Sequence, residues 1–303
     1  MPNSHKRAEA ILKRMKEMAR PALRLITAEK PGFSKLGGKP NLPPDFPWPF
    51  WHERPLSFIG QFDLAELKVS ETLPEFPADG RLYFFYPPWW KDELGQPWGD
   101  EPGHGGSAAV IYSRAEPGPP KEPPAEISRP NIFLVEDDTG IYLEHFLAAE
   151  PMMSRPAPDS GPGLSYEAGE VADDHSADDP VQAAYDDYCR SCFRPWPVPR
   201  HQMGGYPIPD QFPDMALACQ LVSGGIPLEM ICDLPPARMK ELSAGIKDWQ
   251  LLLQLDSDAE GPFSEKGGDY MAWGNEGLIY FWIRKQDLAR LDFSQVWALV
   301  QCT

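Results

Sequence analysis

The residues best suited to chemistry come in two matched sets. Gln61 and Asp63 end one apolar stretch, and Gln254 and Asp256 end another. Residues two apart on a strand project to the same face, so each set offers an amide beside a carboxylate. Two such carboxylates meeting in one place could serve as acid and base. Polar residues at a strand end more often cap the next helix or tie down a loop, and that structural role is favoured. Asp256-x-Asp258-x-Glu260-Gly261 resembles the start of a calcium loop, because alternating carboxylates can converge on a hard cation. The pattern fails at its twelfth position, Gly267, where a bidentate Glu belongs. An acidic turn accepting backbone N–H bonds is the plainer reading, and no metal is assigned. Leu36-Gly37-Gly38 could expose backbone N–H groups to an anion, but the ordinary role of such a pair is a turn with positive φ. Cys189-x-x-Cys192 has zinc spacing, with His201 nearby. A structural zinc site needs four ligands, and helical spacing places both thiols on one face without a metal. There is no H-E-x-x-H, nucleophile elbow, P-loop or dinucleotide fingerprint. No catalytic residue and no cofactor is therefore assigned.

The elements that position these residues are mostly strands. Apolar runs with aromatic and β-branched side chains predict strands at 23–28, 55–64, 80–86, 108–114, 131–136, 249–256, 277–284 and 296–302. Helical spacing predicts helices at 5–20, 180–193, 213–223 and 235–247, with short ones after Asp63 and at 285–291. Proline-rich loops cover 31–54 and 195–213, and EPGPPKEPPAE between 116 and 126 reads as a polyproline-like spacer. Residues 150–180 carry many acids and little apolar periodicity, and read as a mobile excursion. The organisation expected is an N-terminal helix at 1–22 and a first half at 23–149. An acidic, proline-rich linker and helix follow at 150–194, and a second half at 195–303.

The halves are proposed because three blocks recur in order. Leu36-Gly37-Gly38-Lys39-Pro40 matches Met203-Gly204-Gly205-Tyr206-Pro207. The Gln-x-Asp ends match, and Gly80-Arg81-Leu82-Tyr83-Phe84-Phe85 matches Gly277-Leu278-Ile279-Tyr280-Phe281-Trp282. The fold class expected is α+β and internally duplicated: two similar halves with mixed or antiparallel sheets sharing one core. A ligand cleft is expected near their junction. The candidate ligand-binding residues are Gly37, Gly38, Gln61, Asp63, Gly204, Gly205, Gln254, Asp256, Asp258 and Trp273.

The blocks SKLGGKPNLP, FIGQFDLAEL, GRLYFFY, MGGYP, LLLQLDSD and the run from Trp273 through DFSQVW resemble the YwqG-like family, a bacterial family of unknown function. The resemblance runs from about residue 20 to the C-terminus. It implies a duplicated α+β fold and brings no established activity or catalytic residues. Some relatives resemble proteins encoded near bacterial toxin systems, which implies an immunity or interaction role. Two stretches, 87–130 and 150–195, are longer than the family pattern. Asn275 stands where the family's Trp-Gly-Asp-x-Gly carries its Asp.

Composition narrows the function classes. A net charge of −17 repels phosphate backbones, which argues against nucleic acid and for a basic protein partner or a small ligand. No apolar stretch reaches the length of a membrane span, and no signal-like apolar run follows the basic N-terminus. Five cysteines do not make a closed disulfide framework, so a cytoplasmic protein with reduced thiols is expected. Ten tryptophans, several in proline-rich loops, read first as anchors. The leading expectation is a non-enzymatic binding or interaction protein, in toxin immunity by the resemblance. The alternatives are a hydrolase with Asp63, Asp256 and Asp258 at the junction, and a carbohydrate binder using exposed tryptophans.

Overall fold

Strands buried on both faces show unbroken apolar runs, and two stretches here do so. In β6 (Arg81–Tyr86) and β11 (Leu278–Arg284) every residue but one end is buried. Their alternation sorts the side chains into two layers. Leu82, Phe84 and Tyr86 face the same central core as Ile279, Phe281 and Ile283. Tyr83 and Phe85 face one outer cluster, and Leu278, Tyr280 and Trp282 face another. The Phe84 and Phe281 rings meet edge to face with centroids 5.0 Å apart. The sheet that carries both strands therefore curls until its two ends touch across the core.

The computed structural model describes residues 13, 17–88, 96–127, 140–156, 199–257, 271–274 and 276–302. Most of the helix expected at 5–20, the strand at 131–136, most of the 150–194 stretch with its helix, Cys189, Cys192, Asp258 and Glu260 lie outside those residues. In the described part, ten strands form one antiparallel sheet in the order β12-β11-β10-β9-β1-β8-β2-β5-β6-β7. The strands not yet placed are β1 (Arg20–Thr27), β2 (Lys35–Leu36), β5 (Ser57–Asp63), β7 (Ala109–Ser113), β8 (His145–Ser154), β9 (Gln202–Met203), β10 (Trp249–Asp256) and β12 (Trp297–Gln301). Phe50–Trp51 (β3) and Arg54–Pro55 (β4) make a separate small hairpin.

The convex side is covered differently at its two ends. Over β10 to β12 lies helix α2 (Met215–Ser223), after the short α1 (Val69–Thr72) and before α3 (Pro236–Ser243) and α4 (Lys285–Ala289). Met215, Ala218, Cys219 and Val222 follow helical spacing and pack on Trp249, Leu251 and Tyr280. Asp214 caps this helix, accepting the Leu217 N–H at 3.2 Å. Over β5 and β6 lies the proline-rich loop, whose Leu42, Trp48, Trp51 and Leu56 pack on Phe58, Tyr83 and Phe85. Trp48 Nε1 donates to Leu56 O at 2.8 Å and Trp51 Nε1 to Gly105 O at 3.2 Å, so these two tryptophans anchor the loop. The outer edge of β12 is covered as well. Val300 N donates to Trp98 O at 2.9 Å, and Trp297 Nε1 donates to Gly99 O at 2.8 Å.

This architecture overturns the α+β expectation of two similar halves with their own sheets. The chain is mostly β, on one continuous curled sheet with few helices. The reason lies in β1 and β8. They pair antiparallel along their whole length, from Arg20 opposite Ser154 to Thr27 opposite Leu147. On their other sides β1 takes β9 and β8 takes β2. This long-range pair joins strands that local pattern assigns to separate sheets. No helix among the described residues is long and apolar enough to cross a membrane.

Candidate functional site

The glycine pairs build turns. Gly37 and Gly38 have φ of 60° and 67°, and Gly204 and Gly205 have 65° and 72°. An added Cβ at Gly37 would overlap the Leu143 carbonyl oxygen. The Gly37 N–H donates to Ile59 O at 2.9 Å and the Gly38 N–H to Tyr142 O at 2.8 Å. These amides hold backbone, which leaves them no part in binding an anion. Gly37→Ala is expected to cost at least about 2 kcal/mol, from left-handed strain plus the backbone overlap. Gly103→Ala, where nothing lies within 4 Å, should stay within about 0.5 kcal/mol of wild type. Urea unfolding of the two variants checks this, and equal midpoints would refute it.

Gln61 and Gln254 make matching bonds. Gln61 Oε1 accepts the Asn41 N–H at 2.8 Å, and Nε2 donates to Phe33 O at 2.9 Å. Gln254 Oε1 accepts the Ile208 N–H at 2.8 Å, and Nε2 donates to Arg200 O at 2.8 Å. The Tyr83 hydroxyl donates to Asn41 O and the Tyr280 hydroxyl to Ile208 O. Each glutamine thus ties both arms of a glycine turn to the sheet.

The carboxylates are also engaged. Asp63 Oδ1 accepts from Ala65 N and Glu66 N, and its Oδ2 lies 3.1 Å from Arg81 Nε. Asp256 is buried and takes a two-point contact from Arg200, at 2.8 Å from Nε and 2.9 Å from Nη2, plus the Arg200 backbone N–H at 2.9 Å. The two clusters do not share a pocket. β10 and β5, which carry them, are separated by β9, β1, β8 and β2, about 24 Å apart at ~4.8 Å per strand step. Gln61 pairs with Tyr83 and Gln254 with Tyr280 on the convex face, where curling spreads neighbours apart. Trp273 sits in the central core, its ring 6.1 Å from Tyr86 and 6.3 Å from Tyr142. Among the described residues no group of three His, Cys, Asp or Glu side chains could hold a metal.

Sequence reasoning considers His201 only as a neighbour of the Cys pair. The structure buries it beside Asp256, whose backbone N–H donates to His201 Nδ1 at 3.0 Å. Nδ1 is therefore the acceptor and Nε2 carries the proton. The available signal was positional. His201 lies three residues before Gly204, and Ser34, three before Gly37, accepts the Asp63 N–H through its hydroxyl at 3.0 Å. Burial holds the His201 imidazole down to about 4; Asp256 opposes this, while His145 and Arg200 push the same way. The folded value is below the unfolded ~6.5, so stability is full above pH ~6.5 and falls as the pH drops towards 4. Between pH 7 and 4, wild type should lose about 3 kcal/mol more than His201→Asn, which keeps an acceptor. Asp210 and Asp214, whose carboxyls burial pushes up, titrate in both proteins and cancel in the difference. Parallel pH profiles in denaturant titrations would refute it.

One hollow has the form of a binding site. It encloses about 270 Å³ on the convex side between the Gly205-Tyr206 turn, the start of α2 and β10–β11. Trp249, Trp282 and Tyr206 give it aromatic walls, and Arg20, Lys247, Lys285 and Asp214 reach it from separate segments. Of the residues named from sequence, it takes in Gly205. A second hollow of about 330 Å³, beside β12, is lined mainly by Trp98, Phe212 and Leu299, with Asp100 as its charged side chain. The first brings more convergent polar groups together with aromatic rings, the usual composition of a ligand pocket.

Fold and cleft define a mostly-β protein on one curled antiparallel sheet, with a hollow of small-molecule size on its convex face. The sequence model of a family described as a domain of unknown function (DUF1963) matches residues 34–302, and the chain belongs to that family. No curated protein matches the sequence.

Proposed function

We propose that this is a non-enzymatic binding protein that holds a small organic molecule in the cleft walled by Tyr206, Trp249 and Trp282. The observation that carries the reading is convergence. Side chains from the start of β1, the Gly205-Tyr206 turn, the cap of α2, the turn before β10 and the start of α4 meet around one aromatic-walled hollow. The bonding of Asp63 and Asp256 favours binding over hydrolysis, because Arg81 and Arg200 engage both carboxylates. Its setting would be the cytoplasm, where the free thiols Cys219, Cys232 and Cys302 stay reduced. The test is a thermal-shift screen of small organic molecules, with hits re-measured on Trp249→Phe. A hit whose shift and tryptophan quenching both fall in the variant supports the reading; hits indifferent to Trp249 count against it. The charge of −17 favours a second reading, a basic protein partner. Pull-downs that recover a basic protein at low salt and lose it at high salt would support that reading.

A further inference from the structure

Resting on that reading of the cleft, we infer that its ligand is a small organic anion with a flat, apolar body. The chain as a whole is strongly acidic, with a net charge of −17, yet the cleft reverses the sign. Arg20, Lys247 and Lys285 line it against one carboxylate, Asp214. Among the described residues, none of these three cations pairs with a carboxylate. Two of them are held by other contacts. The Arg20 guanidinium lies over the Tyr206 ring, 4.3 Å from its centroid. Lys285 Nζ donates to the Lys247 backbone O at 2.6 Å, which holds this ammonium against the segment that carries Lys247.

Asp214 does not offset them fully. Its Oδ1 is engaged by the Leu217 N–H at the start of α2, and burial pushes its carboxyl up. Gln250 and Tyr206 add neutral polar side chains to the lining. Trp282 is 5% exposed and lines the cleft, and its Nε1 has no hydrogen-bond partner among the described residues. Ammonium, guanidinium and indole N–H groups are donors only, and three cations face one carboxylate, so the lining calls for acceptors, preferably charged ones. The walls set the rest of the ligand. Trp249 carries Arg284 over one face at 4.4 Å, which fixes its ring as a rigid wall. With Trp282 and Tyr206 it suits a planar apolar group, and about 270 Å³ admits one or two rings.

The test compares 2-naphthoate with its uncharged amide, 2-naphthamide, by calorimetry and saturation-transfer NMR on the full chain. Naphthoate is expected to bind about tenfold tighter at low salt, and the advantage should shrink between about 20 and 500 mM salt. A Lys247→Ala/Lys285→Ala variant, altering exposed side chains, should lose most of the difference while its melting temperature holds. Arg20→Ala provides a second, independent removal of charge. Equal binding of acid and amide, unchanged in the lysine variant but weakened by Trp249→Phe, would overturn the anionic class and leave the cleft reading intact. Binding of neither probe at millimolar concentration would overturn both.

Discussion

Replacing Asp256 with alanine is expected to cost about 3–5 kcal/mol of folding stability. The carboxylate side chain is 4% exposed and that of its partner Arg200 23%. Removing the carboxylate strips Arg200 of both charge-assisted contacts and leaves its backbone N–H, now bonded to Oδ2, without an acceptor. A buried charge left uncompensated is what makes such truncations severe, even where the intact pair adds little net stability. The contrast is Asp63→Ala. The Asp63 carboxylate is 17% exposed against 4% for Asp256, so water can reach its place and take over part of the lost contact, and about 1–2 kcal/mol is expected. Urea unfolding with unchanged m-values checks both. A loss at Asp256 no larger than that at Asp63 would refute the argument.

The second large effect is at Phe281. Phe281→Ala should destabilise by about 3–5 kcal/mol. Its ring is fully buried and meets Phe84 at 5.0 Å and Tyr86 at 6.4 Å, joining β11 to β6 where the curled sheet closes on itself. The cavity would open between two strands at opposite ends of the sheet order, where neither can shift without disturbing its own partners. A double-mutant cycle with Phe84→Ala should show coupling of about 1 kcal/mol. Phe50→Ala, at a residue 54% exposed, should change stability by less than about 0.5 kcal/mol. Strict additivity of the two core variants would show that the strands do not depend on that contact.

Local pattern reveals the elements whose burial is local. β10 follows the apolar run from Trp249 to Asp256, and β6 and β11 follow their aromatic runs within a residue. It fails where neighbours distant in sequence decide. The segment from His145 to Ser154 contains Glu150 and Pro151 and shows little alternation; no strand is expected there, and from Glu150 on it falls in the stretch read as a mobile excursion. It is instead a central strand. Pro151 is tolerated because β2 reaches only His145 and Phe146, leaving the proline side of the strand without a ladder partner among the described residues. The bridging strands β2 and β9 are two residues each, too short to carry any period. Without them and β8, the remaining strands look like two separate sheets, hence the α+β expectation. The polar residues Gln61, Asp63, Gln254 and Asp256 were legible as special positions, and their bonds show them to be turn fasteners. The cleft was not legible, because its cations come from residues 20, 247 and 285, which no motif spans.

The pairing of β1 also sets a schedule for making the protein. β1 can zip onto β8 once Ser154 has left the ribosome, but its other edge waits for β9 at Gln202. The roughly 50 intervening residues take several seconds to synthesise at ordinary elongation rates. For that interval a nascent six-strand sheet keeps as an edge the β1 strand that β9 later covers at Leu23 and Arg24, able to recruit a neighbouring chain. Arrest of synthesis between these two points should therefore be when the protein is most prone to stick to its own copies.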